Sequence, residues 1–188
     1  MAFGVISAPA ARVRIPGGTR ELELLRAGDA EAWSRLFEAT HEAVYRAALV
    51  QLRDPHLAED VMGQVYLEAF AGIRRYRDRG KPIVAWLLAI ARQRALDALR
   101  RRQRELREFP AEPHAPSSSL GGERLDRLFE ALAALTPEQR EVLHLRFVED
   151  LSLEQTAAVT GRSVGAVKAL QHRAIVRLRA ALADAERR

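Results

Sequence analysis

Apolar residues recur along most of the chain at intervals of three and four positions, the period of an α-helix with one buried face. The alternation of apolar and polar residues that is typical of strands is nearly absent. In the first half, residues that favour helix starts precede the repeats: Asp29 and Asp54 are N-cap types, and Pro55 suits a first helical position. We predict four helices there, over 19–28, from 29 to near 52, from 54 to 70, and from Pro82 onward with a basic far end.

Two capping boxes mark helix starts in the second half. Thr136 and Gln139 stand three positions apart, as do Ser152 and Gln155, so each pair can exchange side-chain-to-backbone hydrogen bonds at a helix N-terminus. Gly161 can adopt the positive φ that ends the second of these helices, and a serine two positions later can cap a longer one. A short helix, a tight turn with glycine and a longer helix together predict a helix-turn-helix.

A segment between the two halves divides the chain. Residues 108–122, "EFPAEPHAPSSSLGG", hold three prolines, three serines and no apolar period, so this segment cannot bury enough surface to fold alone. We interpret it as an extended linker. The predicted fold is therefore all-α, with two small helical domains joined by a flexible linker. The predicted parts are a flexible tail over 1–18, a helical domain over 19–107, the linker over 108–122, and a helix-turn-helix domain over 123–188.

The composition excludes several classes. The chain has no cysteine, and no second histidine lies at ligand spacing from His172, so we expect neither a disulfide framework, nor a metal site, nor a cofactor. The longest apolar run, "AWLLAIA" over 85–91, is far shorter than the roughly 20 residues of a membrane span. The apolar start has no preceding basic segment of the kind found in secretory leaders. These features predict a cytoplasmic protein without membrane insertion.

Charge is distributed unevenly along the first domain. Residues 21–70 contain 4 basic and 10 acidic residues, a balance of −6, whereas residues 71–107 contain 12 basic and 3 acidic residues, a balance of +9. Adjacent helices therefore carry opposite signs, and one surface attracts phosphate while its neighbour repels it. Ordinary solvated helix faces are the alternative interpretation.

The second helix of the predicted helix-turn-helix has one apolar stripe and one basic face. In such a unit this helix buries the stripe while its N-terminal turns enter the major groove. Small residues let the backbone approach the bases, and the cations can reach phosphates or guanine edges. The predicted DNA-contacting residues are Arg162, Ser163, Gly165, Ala166, Lys168, Ala169, His172 and Arg173. The alternative is a packed helical hairpin with a solvated basic face.

Four sequence blocks carry a family resemblance. They are "LAEDVMGQVYLEAF" over 57–70, "AWLLAIARQRALDALRRRQR" over 85–104, "LTPEQREVLHLRFVEDLSLEQTAAV" over 135–159 and "SVGAVKALQHRAIVRLR" over 163–179. In this order and at these separations, they resemble a bacterial sigma factor of the extracytoplasmic-function (ECF) type, over about residues 28–182.

The resemblance implies a division of labour that agrees with the charge map. The acidic second and third helices would bind a coiled-coil element of core RNA polymerase, the basic fourth helix would engage the −10 promoter element, and the helix-turn-helix would read the −35 element. The implied polymerase-binding residues are Glu59, Asp60, Val61, Gln64 and Leu67. The implied −10 residues are Arg77, Arg79, Gly80, Lys81, Gln93, Arg100 and Arg101. The resemblance also implies an anti-sigma factor as a partner.

The chain departs from the family pattern at several of these positions. Gly63 and Gln64 stand where the family usually has "QE", and Gln93 stands where it has asparagine. Ala166 and Ala169 stand where it commonly has hydroxyl-bearing residues. Since a good base contact is worth about 1 to 3 kcal/mol, we expect the recognised promoter to differ from the commonest one.

Three other classes of protein remain as alternatives. A two-domain helix-turn-helix regulator acting without core polymerase would sense a ligand or dimerise through its first half, and it predicts palindromic sites and an apolar pocket. No sequence feature marks a pocket, and a basic helix ending in "RRRQR" is superfluous for a sensor domain. An enzyme is disfavoured because Glu59 and Asp60 are adjacent on a helix and cannot face one substrate atom together, and because no phosphate loop, triad or metal spacing occurs. A noncatalytic helical adaptor is the third alternative.

Overall fold

The computed structural model describes residues 19–77, 82–108 and 132–185, and every regular element within these ranges is helical. The predicted tail over 1–18, residues 109–122 of the predicted linker, and residues 79–81 of the predicted −10 contacts lie outside the described residues. The helices are α1 (Thr19–Ala27), α2 (Ala30–Leu52), α3 (Pro55–Gly72), α4 (Ile83–Glu108), α5 (Pro137–Leu143), α6 (Leu153–Thr160) and α7 (Val164–Ala185). A 3₁₀ turn (Ile73–Arg75) follows α3, and a π-helical turn (His144–Val148) follows α5.

Local capping chemistry sets most of the helix starts, as predicted. Asp29 accepts a hydrogen bond from the Ala32 amide at 2.8 Å at the start of α2, and Asp54 does the same for two amides of α3. Both capping boxes are present, at the starts of α5 and α6. Gly161 ends α6 with φ +66°, a conformation that favours glycine.

Helices α1 to α4 form an N-terminal module around one apolar core. Helices α2, α3 and α4 pack against one another pairwise, and α1 packs on α2. Val44 from α2, Val65 from α3 and Leu87 from α4 are completely buried at the centre. The apolar stripes of these helices supply this core, whereas Phe37 of α2 and Phe70 of α3 remain exposed, as described below.

Helices α5 to α7 form a C-terminal module, the predicted helix-turn-helix. Val142, Ala157 and Val167, one from each helix, are buried together. The turn between α6 and α7 contains only Gly161, Arg162 and Ser163, which is the short glycine-containing turn expected of a helix-turn-helix unit.

The two modules also contact each other. Ala43, Val84 and Leu88 of the N-terminal module are buried in one cluster with Leu145, Leu151 and Val159 of the C-terminal module. The first turns of α4 are apolar on every side, and such a helix has to be buried on more than one face. One face of α4 therefore packs on its own module and the other on the C-terminal module. None of the helices within the described ranges has the length and apolar character needed to cross a membrane.

Candidate functional site

The basic face of α7 is exposed, as the sequence predicts. Ser163 caps the helix by accepting a hydrogen bond from the Ala166 amide at 3.2 Å. Val167 and Ala174 are completely buried. On the opposite side, Gly165, Lys168, Ala169, His172 and Arg173 are exposed, and Ala166 is half-buried. Backbone, small side chains and cations thus share one solvent-facing surface on the first three turns of α7.

Arg162 differs from the other predicted DNA contacts. Its Nε atom is buried, and its charge helps to lower the pKa of Glu138 on α5, where backbone and Thr136 hydrogen bonds have the larger effect. Arg162 also acts electrostatically on Glu141. Arg162 therefore interacts electrostatically with two carboxylates of α5, Glu138 and Glu141.

The described −10 residues predicted on α4 lie on an exposed face, where two of them donate hydrogen bonds to Asp97. Gln93 Nε2 donates to both carboxylate oxygens of Asp97 at 3.3 and 3.4 Å, and Arg100 Nη1 donates to Asp97 Oδ1 at 3.3 Å. Arg101 lies one position further and pairs with Glu105 at 3.6 Å. The side chains of Arg100 and Arg101 are about two-thirds exposed, at 68% and 65%. Asp97 was not among the predicted residues, although its spacing of four from Gln93 and three from Arg100 is a usable signal.

A groove opens beside this face, next to the loop before α4. Its volume is about 280 Å³, and it is lined by Glu68, Ala71, Gly72, Arg75, Tyr76, Trp86 and Ile90. The rings of Tyr76 and Trp86 lie 4.9 Å apart between centroids. Arg77, the described member of the predicted loop contacts, is exposed just after Tyr76. This groove was not predicted from the sequence, because it is formed by residues on two helices and the loop between them.

The exposed face of α3 carries the predicted polymerase contacts. Glu59, Asp60 and Gln64 are exposed, and Leu67 is 74% exposed. Val61 was predicted among these contacts, but this prediction is wrong. Its side chain is only 2% exposed, because it lies on the same buried stripe as Val65 and Ala69 and packs into the core. Its side chain supports α3 from within and is not part of the surface.

An apolar surface that the sequence analysis did not predict adjoins these carboxylates. Phe70 is 57% exposed and Phe37 is 41% exposed. The Phe70 ring lies 5.2 Å from Trp33, and the Phe37 ring lies 4.9 Å from Tyr66, measured between centroids. We call Phe37, Leu67 and Phe70 the apolar rim. Exposed apolar surface next to charge is typical of protein-binding sites.

Comparisons with known proteins agree with this arrangement. The family model for Sigma-70 region 2 matches residues 36–105, and the model for Sigma-70, region 4 matches residues 131–180. The ECF RNA polymerase sigma factor SigD of Mycobacterium tuberculosis is 38% identical over 166 residues, covering 81% of this chain and 78% of SigD. ShbA, an ECF sigma factor of Streptomyces griseus, is 35% identical over 169 residues, covering 81% of this chain and 88% of ShbA.

A solved structure shows the same fold. The sigma factor RpoE of Bartonella quintana, in complex with the anti-sigma factor NepR, has a TM-score of 0.70 and 25% identity, covering 81% of this chain and 98% of RpoE. The matches include both modules. The chain therefore belongs to the ECF sigma factors, which bind core RNA polymerase and direct promoter-specific transcription initiation.

Proposed function

We propose that three surfaces of the chain divide the work of initiation: α3 with the apolar rim binds core polymerase, α4 with its groove engages the −10 element, and α7 reads the −35 element. The observation that carries this proposal is the opposite charge of two exposed faces within one module. Carboxylates line the exposed face of α3, and arginines crowd the far end of α4. The two faces therefore suit two different partners, one a protein and one a polyanion.

The polymerase surface combines two kinds of contact. Glu59 and Asp60 offer carboxylates to a basic partner and steer the encounter, whereas Leu67 and Phe70 offer apolar area that can be buried. Gly63 lies between them on an open stretch of α3, and a Cβ added there would meet no atom within 4 Å. The missing side chain thus leaves the backbone of α3 accessible to a closely packed partner helix.

The −10 surface combines positioning with base readout. The exposed arginines of α4 neutralise phosphates, with a salt slope of about 0.9 for each contact. Asp97 holds the Gln93 amide, which has both a donor and an acceptor for a base edge. The groove that Tyr76 and Trp86 help to line offers an aromatic wall to a base taken out of the stack, an extrusion that costs a few kcal/mol.

A paired set of variants tests the division between polymerase and promoter surfaces. The double substitution of Glu59→Lys and Asp60→Lys is expected to weaken binding to core polymerase at least tenfold while leaving the affinity of the free protein for promoter DNA unchanged or raised. Glu23→Lys on the exposed side of α1 is the matched charge control and is expected to change neither affinity.

The converse set comes from α7. Lys168→Ala and Arg173→Ala are expected to weaken promoter binding by roughly 5- to 150-fold each, since a base contact is worth about 1 to 3 kcal/mol, with polymerase binding intact. Equal losses of both affinities in both sets would show that the surfaces are wrongly assigned. Promoter binding without any binding to core polymerase would favour a regulator that acts alone.

We also propose that an anti-sigma protein holds this chain, because the structurally similar RpoE is solved in such a complex. The contribution of the chain to initiation is binding and strand engagement, with no catalysis of its own, and it acts in the cytoplasm where the polymerase works. Co-purification of the tagged chain from its native cells, followed by identification of bound proteins, tests the anti-sigma proposal. Recovery of core polymerase subunits alone would contradict it.

A further inference from the structure

Helix α1 is hydrogen-bonded to one wall of the groove beside α4. Arg26, in the last turn of α1, donates from Nη2 to the backbone carbonyl oxygen of Tyr76 at 2.9 Å, across 50 positions of the sequence. Arg26 is half-buried, and its Nε atom is covered completely. A hydrogen bond from a charged guanidinium is stronger than one between neutral groups. The contact is therefore a built part of the fold, unlike the approach of a solvated surface arginine.

This hydrogen bond completes the fixation of the Tyr76 backbone. The Tyr76 amide donates to the Ile73 carbonyl at 3.1 Å, and Ile73 is buried in one core cluster with Leu22 and Leu25 of α1. One hydrogen bond thus holds the peptide group before Tyr76, and the bond from Arg26 holds the peptide group after it. Because these two planar groups flank the same Cα atom, together they fix the direction in which the Tyr76 side chain leaves the backbone.

The Tyr76 side chain forms one wall of the groove. Its ring lies 4.9 Å from the Trp86 ring between centroids, and both residues line the groove of about 280 Å³. Gly72 lines the same groove, and a Cβ added there would lie 3.5 Å from Cζ2 of Trp86. The groove therefore owes its shape to the missing side chain of Gly72 and to the fixed direction of Tyr76.

Helix α1 is a firm support for Arg26. Leu25 is 1% exposed, and its carbonyl accepts a hydrogen bond from Trp33 Nε1 of α2 at 3.0 Å. At the other end of α1, Glu21 accepts hydrogen bonds from Nε and Nη2 of Arg35 on α2, at 3.1 and 3.2 Å. Both ends of α1 are tied to α2, so α1 holds Arg26 in a fixed position.

We propose that Arg26 is a positioning residue of the −10 reader: through the Tyr76 backbone, it keeps the groove shaped for an extruded base before DNA arrives. This inference rests on the proposed binding of the −10 element at the groove. Preorganisation of this kind raises affinity because the wall of the site need not be ordered on binding. Arg26 lies outside residues 36–105, the part matched by the region 2 family model, so that match assigns α1 no role.

A series of abasic promoter fragments measures capture of the base. Core polymerase carrying this chain is bound to a fragment whose −10 element is single-stranded, and each −10 base in turn is replaced by an abasic site. With the unsubstituted chain, removal of the captured base is expected to cost about 5- to 150-fold in affinity, the range for one lost base–aromatic stacking contact. We expect Arg26→Ala to reduce this penalty at least threefold and to change the penalties at the other positions less than twofold. An unchanged penalty in Arg26→Ala would overturn the positioning role.

Further variants of α1 separate the hydrogen bond from charge and from folding. Arg20→Ala removes the same charge from an exposed position of the same helix and is expected to keep the full abasic penalty; an equal loss in this variant would overturn the proposal in favour of a general effect of charge. Arg26→Lys keeps a charged donor for the Tyr76 carbonyl, so its penalty is expected to lie closer to that of the unsubstituted chain than to that of Arg26→Ala. Thermal unfolding identifies a variant that fails to fold. If Arg26→Ala does so, Arg26→Met repeats the test, because it keeps an apolar stem without a donor.

Gly72→Leu distinguishes a wrong positioning role from a wrong site. A side chain at this position occupies the groove next to Trp86 and is expected to remove the abasic penalty directly. A penalty that falls in Gly72→Leu but stays unchanged in Arg26→Ala would overturn the role of Arg26 and leave the base site standing. A penalty unchanged in both variants would contradict the proposed placement of the −10 element at the groove, and the role of Arg26 with it.

Discussion

Leu67 provides a direct test of the polymerase surface. Its side chain is 74% exposed on α3, beside Glu59 and Asp60 in one direction and Phe70 in the other. Complete burial of a leucine side chain is worth about 1.5–3 kcal/mol, so three-quarters of that, about 1–2 kcal/mol, is available on binding. Leu67→Ala forfeits most of this gain. We expect the Kd for core polymerase to rise by about 5- to 30-fold.

The same substitution should leave the free protein almost unchanged. A side chain that contributes little to the core changes the free energy of unfolding by about 0.5 kcal/mol or less. Titration of labelled protein with purified core polymerase measures the Kd, and thermal unfolding measures the stability. Val176→Ala is the matched control, because Val176 is 52% exposed on α7 and outside the proposed surface. A Kd for Leu67→Ala within twofold of the unsubstituted chain would refute the assignment of the α3 face.

Three further predictions concern the DNA face, pH and stability. Asp97→Ala releases the Gln93 side chain and removes a negative charge from the DNA-facing side of α4. We therefore expect tighter binding to random DNA but a loss of about 3- to 10-fold in the preference for the correct −10 sequence, measured by competition between the two DNAs. An unchanged preference would contradict the role of Asp97 in positioning Gln93. Burial works to raise the pKa of Glu149, but its contacts with His144 and Arg46 hold that pKa below its ordinary value. Its stabilisation of the contact between the modules is therefore present above the ordinary carboxyl pKa and lost as pH falls through the lowered one. The Tm should therefore fall on acidification, and the fall should be smaller in Glu149→Gln; an equal fall in both proteins would contradict this role of Glu149. Tyr66→Phe removes the 2.7 Å hydrogen bond to Thr40. We expect the free energy of unfolding to fall by about 1 kcal/mol and the Tm to fall by about 2–4 °C. An unchanged Tm would show that this hydrogen bond does not stabilise the protein.

The sequence predicted those features that depend on neighbours along the chain. The starts of α2, α3, α5 and α6 follow from aspartates or capping boxes a few residues away, and the structure confirms each of them. The exposed face of α7 was likewise predictable, because Val167 and Ala174 recur at helical spacing and fix which side is buried.

Residues at the margins of apolar stripes, and features formed where helices meet, were harder to predict from the sequence. Ala69 and Phe70 are consecutive, and both suit a buried stripe, yet only Ala69 faces the core. Periodicity alone does not decide which residue at the margin of an apolar face is covered. The groove beside Trp86 and the apolar rim depend on how three helices meet, which helical spacing within one helix does not encode.

The sequence indicates that α4 has a second buried face, but it does not indicate which surface covers that face. The run "AWLLAIA" over 85–91 is apolar on every side, which implies that a second surface covers it. Which surface covers it follows from Leu145, Leu151 and Val159 on distant elements. Arg46 and Glu149 are 103 positions apart, so nothing in the local sequence marks them as partners.

Transcription by purified core polymerase tests the central claim, promoter-specific initiation by this chain, most directly. Genomic fragments are transcribed with and without the protein, and the RNA 5′ ends are mapped. The account predicts protein-dependent start sites whose upstream DNA shares two short sequence blocks, one near −10 and one near −35, and predicts that Arg173→Ala lowers their use. Start sites that are the same with and without the protein would contradict the account.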